Sequence, residues 1–254
     1  MASVSRRSRR IVAECKSHES RGECSSGRLF PELLRAVAAY KSDDREVKAG
    51  HDIYSVGEPG TVIYIVVDGW VALYDLLRDG RRQILQFALP GALLGFEADT
   101  RAAATHGAEA LTDTIVSTIP HRSLAALSSK HPEIAMRFAG LIARDRNLSF
   151  DHLTSIGRRS ARERVARLLL ELFIRYRAQW PGHRPKEMQL PLTQEHIGDA
   201  TGLTGVHVNR VLGDLRDEGI VQFHYRKLMI LDPDRLIDVA AIDPHLALSW
   251  IPRN

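Results

Sequence analysis

The chain has 254 residues, of which 44% are hydrophobic and 26% charged, and a formal net charge of +4. That length holds one large domain or two small ones; no apolar run reaches the length of a membrane span, and the basic start (Arg6, Arg7, Arg9, Arg10) lacks the apolar segment of a signal peptide. Two cysteines, Cys15 and Cys24, are too few for a disulfide framework, and so modest a positive charge permits a nucleic-acid partner without requiring one. A cytoplasmic location with no membrane partner is the expectation.

Residues 1–28 are rich in Ser, Arg, Glu and Gly, lack periodicity and read as a mobile arm. Residues 29–39 (LFPELLRAVAA) read as a short helix. From residue 46 to about 120, short β-branched runs alternate with glycine turns. They are Thr61–Val67, Val71–Leu76, Gln83–Phe87 and Thr114–Ile119. Asp79-Gly80 between two of them is a hairpin signal. Several short strands at this spacing predict a small all-β barrel or sandwich.

After Pro120 the pattern becomes helical. In His131–Ile156, Ile134, Phe138, Leu141, Ile142, Leu148, Leu153 and Ile156 recur at helical spacing, interrupted by Arg144, Asp145 and Arg146. A long helix with a partial apolar seam between two domains suits a dimer interface. A second helix over 159–178 carries Val165, Leu168, Leu169, Leu172 and Phe173 on one face. Arg158, Arg159, Arg162, Arg164 and Arg167 crowd its start and read as a mostly solvated face. Trp180-Pro181-Gly182 ends it.

Leu190–Phe223 carries the clearest signal. Thr193 caps a short helix with Glu195 in its first turn and Ile197 and Ala200 on its inner side. Gly202 supplies a tight turn, Leu203 plugs the corner and Thr204 caps a second helix ending near Asp217. This is a helix-turn-helix. At 100° per residue, Val208, Val211, Leu212 and Leu215 form the core face of the second helix. Val206, Asn209, Arg210 and Gly213 lie roughly opposite, facing out. Arg suits guanine O6/N7, Asn suits adenine N6/N7, and Val suits a thymine methyl group. Ile220–Phe223 and Leu228–Leu231 then form a hairpin wing whose basic tip offers Arg226 and Lys227 to phosphate. Thr193, Gln194, Thr204 and His207 are further candidates for backbone contact.

These features together resemble the Crp/Fnr family of bacterial regulators over about residues 30–240. The glycine spacing (VGEPG, VDGWVALY, DGRRQILQF, LPGALLGFE) is similar to the family's β-roll, and LTQEHIGDATGLTGVHVNRVLGDLRDEGIV is similar to its helix-turn-helix. The resemblance implies an α+β fold: an N-terminal β-roll (a jelly roll of the cyclic-nucleotide-binding type), a long dimerisation helix and a C-terminal winged helix-turn-helix. The expected divisions are an arm at 1–28, the β-roll at 29–130, the dimerisation helix at 131–157 and the DNA-binding domain at 158–254. The implied function is sequence-specific regulation of transcription by a homodimer on double-stranded DNA, with RNA polymerase as a further partner. The two recognition helices would lie about 34–36 Å apart in successive major grooves.

The chain departs from the family pattern. Many members carry Glu where Val206 stands and Ser or Gly where Asn209 stands, whereas Arg210 is kept. The cyclic-nucleotide branch uses a Glu and an Arg-Ser pair, the Arg pairing with the cyclic phosphate. Here Phe96 and Ala104-Thr105 stand at about those places. Gly95, Glu97 and Arg101 remain as a possible effector turn. The oxygen-sensing branch holds an iron–sulfur cluster, which wants four thiolates. Cys15, His18 and Cys24 sit at C-x2-H-x5-C spacing, and Ser117 stands at the place of the β-roll cysteine. No iron–sulfur cluster, haem (for which His51, His106 and His121 are the candidate ligands) or other cofactor is predicted. The alternatives are a redox- or metal-responsive regulator using Cys15, His18 and Cys24, or a cyclic-nucleotide-binding regulator. The chain has no P-loop, nucleophile elbow, HExxH or CxxC, so no enzyme activity is expected.

Overall fold

The computed structural model describes residues 37–96, 102–179 and 187–243. The predicted arm, most of the 29–39 helix and the Trp180-Pro181-Gly182 loop lie outside the described residues.

Among the described residues, the N-terminal half holds eight strands: β1 (Asp43–Val47), β2 (Asp52–Tyr54), β3 (Val62–Asp68), β4 (Val71–Leu76), β5 (Arg82–Ala88), β6 (Leu93–Leu94), β7 (Gly107–Ala110) and β8 (Thr114–Pro120). They form two antiparallel sheets of order β1-β8-β3-β6 and β2-β7-β4-β5. The four predicted runs match β3, β4, β5 and β8 to within a residue. The remaining strands were not legible as runs. β1 (DDREV) is polar, β2 and β6 have three and two residues, and β7 is GAEA. Pairing to longer neighbours defines them, a tertiary effect that local propensity does not carry.

Both sheets bury apolar side chains on both faces. Between the sheets lie Val47, Ile53, Tyr54, Val66, Val71, Ala88, Leu94, Ala108 and Val116. Outside the first sheet, Ile63, Ile65, Leu93 and Ile119 pack on Leu127, Ile134 and Phe138. Outside the second, Trp70, Ala72, Tyr74, Ile84 and Phe87 join a core that continues through the C-terminal helices. A β-bulge makes this possible. Leu73 pairs with Gln86 and Tyr74 with Ile84, so Leu85 is skipped, and Ile84 and Phe87, three apart in sequence, lie on the same outer face.

Three helices follow: α1 (Leu124–Lys130), α2 (Pro132–Arg158) and α3 (Ala161–Ala178). The predicted seam of α2 divides. Ile134, Phe138 and Leu148 are buried within the chain, whereas Leu153 (70% exposed) and Ile142 (41%) face out beside Met136 (73%) and Phe150 (60%). α3 begins with a capping box in which Ser160 Oγ accepts from Glu163 N–H (3.3 Å) and Glu163 Oε2 from Ser160 N–H (2.6 Å).

Of the arginine cluster only Arg158 is exposed; the other four are buried or half-buried. Arg167 is 1% exposed and meets Asp151 at 2.7 Å and Glu171 at 2.8 Å. Arg159 reaches Asp151, Arg162 forms a fork with Glu218, and Arg164 donates to the carbonyls of Arg159 and Thr201. Buried charge is tolerated only when paired, and α2 and the following helices supply the partners. Burial raises the proton affinity of Glu171, but the charges of Arg167 and Arg175 outweigh it and hold the carboxyl below its ordinary value.

His152 on α2 lies against this network, and its Nε2 is buried without a hydrogen-bond partner among the described residues. Burial, then the charge of Arg167, lowers its pKa below the ordinary 6.5. Above that value both folded and unfolded chains carry neutral imidazole. As the pH falls through it, the unfolded chain takes the proton first, so stability is lost until the depressed folded value is reached. Urea midpoints at pH 7.5 and 5.5 should therefore converge in His152→Gln relative to the parent; parallel losses in both would remove His152 from this account.

The chain ends in β9 (Glu187–Gln189), α4 (Gln194–Thr201), α5 (Gly205–Asp217), β10 (Val221–His224), β11 (Lys227–Ile230) and α6 (Pro233–Ala240), with a sheet of order β10-β11-β9. No helix among the described residues is long and apolar enough to cross a membrane.

Candidate nucleic-acid interface

α4, its turn and α5 form the helix-turn-helix. Thr193 Oγ1 accepts from His196 N–H at 3.1 Å, and His196 Nδ1 accepts in return from Thr193 N–H at 3.3 Å. His196 thus fills the capping-box position usually held by Glu or Gln, a role the sequence did not suggest. The turn depends on two glycines. Gly202 adopts φ +67°, the left-handed conformation that ends a helix. A Cβ on Gly198 would lie 2.5 Å from the Leu203 carbonyl oxygen, so Gly198 admits the close approach of the turn. Thr204 then caps α5, accepting from His207 N–H at 3.3 Å. Its hydroxyl proton, like that of Thr193, is left to donate elsewhere.

The two faces of α5 separate as the spacing predicts. Val208, Val211, Leu212 and Leu215 are buried. Val206 is 84% exposed, and Asn209 and Arg210 are exposed with it. An apolar side chain this open has no folding role, which favours an external partner. Arg210 makes no hydrogen bond or ion pair among the described residues, so its guanidinium is available. Asn209 is different: its Oδ1 accepts from Gln194 Nε2 at 2.9 Å. Through this bond Gln194, expected at the DNA backbone, lies beside the outer face of α5.

The wing is present. β10 and β11 pair from Val221↔Ile230 to His224↔Lys227, leaving Tyr225 and Arg226 as a two-residue tip. Both adopt positive φ, 47° and 60°, as a tight hairpin of this type demands of residues that are usually Asn and Gly. Side chains with a Cβ resist that conformation, so the tip carries strain of the kind found at functional sites. The tip is tied down by Leu190 N–H, which donates to the Arg226 carbonyl at 2.7 Å. Lys227 is engaged by Glu187 at 3.2 Å, an exposed pair that a phosphate would have to displace.

The interface is held to the β-roll. Arg82 on β5 donates to Asp199 on α4 at 3.0 Å and also meets Glu109 on β7. Arg175 on α3 donates to the Phe87 carbonyl at 2.8 Å. Neither link was legible in the sequence. His196 lies near Arg82, and its pKa is lowered by burial and then by that charge.

The predicted effector turn is only partly described: Glu97 and Arg101 lie outside the described residues, while Gly95 adopts φ +68°. Ala104 has its methyl in the core between the sheets. Its N–H donates to Glu58 and its carbonyl accepts from Gly57. Tyr54 stacks on Tyr64 at 5.6 Å, and its hydroxyl meets His106 Nε2 at 3.0 Å. His51 is exposed, and His121 tilts against Phe96 at 5.8 Å. Ser117 is buried and donates to Asp44. Among the described residues no group of three His, Cys, Asp or Glu is placed to hold a metal; Cys15, His18 and Cys24 lie outside them.

Residues 163–239 match the Crp-like helix-turn-helix domain, and residues 44–131 match the cyclic nucleotide-binding domain. The nitrogen fixation regulation protein FixK of Rhizobium meliloti (strain 1021) is 33% identical over 80% of this chain and 86% of its own length. The fumarate and nitrate reduction regulatory protein of Vibrio cholerae is 27% identical over 78% of each chain. Among solved structures, FixK2 from Bradyrhizobium japonicum is 33% identical with a TM-score of 0.70, over 79% of this chain and 98% of that one. A CRP-family transcriptional regulator from Thermus thermophilus is 28% identical with a TM-score of 0.60, over 78% of this chain and 97% of that one.

Proposed function

Because the chain belongs to the Crp/Fnr family of transcription regulators, we propose how this DNA-binding regulator engages its site. Its relatives are regulators, not enzymes. In our reading it binds as a homodimer, each α5 in a major groove. Val206, Asn209 and Arg210 read base edges. Thr193, Thr204, His207, Arg226 and Lys227 meet the backbone, with Gln194 between the two roles. The observation that carries this assignment is the outer face of α5, where an apolar side chain and an unpaired guanidinium stand exposed beside an amide.

The exposed side of α2 supports the dimer. Met136, Gly140, Phe150, Leu153 and Gly157 lie open along this helix. Side chains three, four and seven apart share one helix face, and a second copy would cover that seam. RNA polymerase is the further partner of this reading, and the cytoplasm its location. We further propose that no cyclic phosphate is read, because the Arg of the cyclic-nucleotide branch is replaced by Ala104, whose methyl is buried. The reading also includes no resident metal or haem. A redox role for Cys15, His18 and Cys24 is the alternative, and anaerobic purification with an iron assay separates the two.

Selection of bound DNA from a randomised library tests the main reading: an inverted repeat is expected. Leu153→Asp, at an exposed position, should convert the dimer to monomer in sedimentation and weaken binding to the selected site by about 10²–10⁴-fold, because the two half-sites are no longer linked. A Leu153→Asp chain that still sediments as a dimer would place the interface elsewhere.

A further inference from the structure

We infer that Gln194 is a specificity-determining residue that sets what Asn209 reads. This inference rests on the base-reading role proposed above for Asn209.

Of the three side chains on α5 proposed to read bases, Val206 and Arg210 stand free, but Asn209 does not. Its Oδ1 accepts from Gln194 Nε2 at 2.9 Å, across the two helices of the motif. Gln194 is the first residue of α4, immediately after the Thr193 cap. Asn209 stands one turn into α5. The capping box at Thr193 fixes the start of one helix, and the Thr204 cap fixes the start of the other. The bond therefore joins two side chains whose backbones are already anchored, and both side chains are exposed.

An isolated Asn reads adenine through two bonds: its oxygen accepts from N6–H and its nitrogen donates to N7. Sharing Oδ1 with Gln194 weakens it as an acceptor for adenine. With one of its two lone pairs taken, Oδ1 is the weaker half of the Asn209 amide, and the Nδ2 donor is the stronger. A donor suits guanine O6 and N7 or thymine O4. The bond also removes rotamer freedom from both side chains before DNA arrives, which favours binding by preorganisation. Gln194 acts through Asn209 as a positioning residue, and it is neutral, so its removal leaves the salt dependence of binding unchanged.

The full-length chain and its Gln194→Ala, Gln194→Glu and Asn209→Ala variants would each be used to select bound DNA from a randomised library. Asn209→Ala should lose preference at one position of each half-site. Gln194→Ala and Gln194→Glu, neither of which can donate to Oδ1, should both shift that same position toward adenine by about fivefold or more, with the Arg210 guanine unaltered. A Gln194→Ala profile identical to the parent, or a uniform loss across all sequences, would overturn the role of Gln194 and leave that of Asn209 standing. An Asn209→Ala profile unchanged at every position would overturn the base-reading premise itself.

Discussion

Glu171→Ala is expected to destabilise the protein by about 3–5 kcal/mol, measured as the loss in urea or thermal unfolding. Glu171 is 6% exposed and stands between two buried guanidiniums. Arg175 donates to it at 2.8 Å and Arg167 meets its other oxygen at 2.8 Å. Truncation leaves Arg175 with the Phe87 carbonyl and Arg167 with Asp151, two cations for one carboxylate in a medium that tolerates charge poorly. Against a total stability of about 5–15 kcal/mol, such a loss is large. Replacing Arg167, Glu171 and Arg175 together by apolar residues of similar volume should be close to neutral, because the desolvation cost disappears with the attraction. A single variant that loses less than about 1 kcal/mol, within the range of an exposed pair, would mean that water reaches the network.

Arg210→Ala is the second large effect. Loss of a bidentate contact to guanine costs about 1–3 kcal/mol of discrimination at one base pair, and the proposed two-fold site would contain that contact twice. Titrations against the selected site and against random DNA at fixed salt separate this from a phosphate contact. The expected result is a steep fall on the selected site and a small one on random sequence. Equal falls on both would reassign Arg210 to the backbone.

The helix-turn-helix was legible because its determinants are local. Caps at Thr193 and Thr204 act within three residues, Gly202 sets its own turn, and the core face of α5 repeats at helical spacing. The long strands were legible for the same reason. What escaped the sequence is contact between distant segments. Arg167, Glu171 and Arg175 stand at i, i+4 and i+8, the ordinary pattern of a solvated helix face. Only the neighbouring LLLELF run, apolar almost all round, signals a helix buried on most sides. Asp199 and Arg82 are 117 residues apart, and nothing local in either announces the other. The seam of α2 read as one stripe in the sequence, but a long helix can bury one part of its apolar surface in its own chain and leave another part exposed.

The bulge at Leu85 turns Ile84 and Phe87 outward into the core that runs on through α3 and the helix-turn-helix. Separating the β-roll from that core would bare both side chains, at about 1.5–3 kcal/mol each, and break the links from Arg82 and Arg175 as well. Allosteric coupling typically amounts to about 1–3 kcal/mol, too little to pull this junction apart. On the proposed reading, the β-roll and the helix-turn-helix of one subunit would therefore move as a single lever. In the homodimer proposed above, a signal arriving in the β-roll would reach DNA by tilting one whole subunit against the other, so the quantity under control would be the spacing and angle between two recognition helices rather than the shape of either.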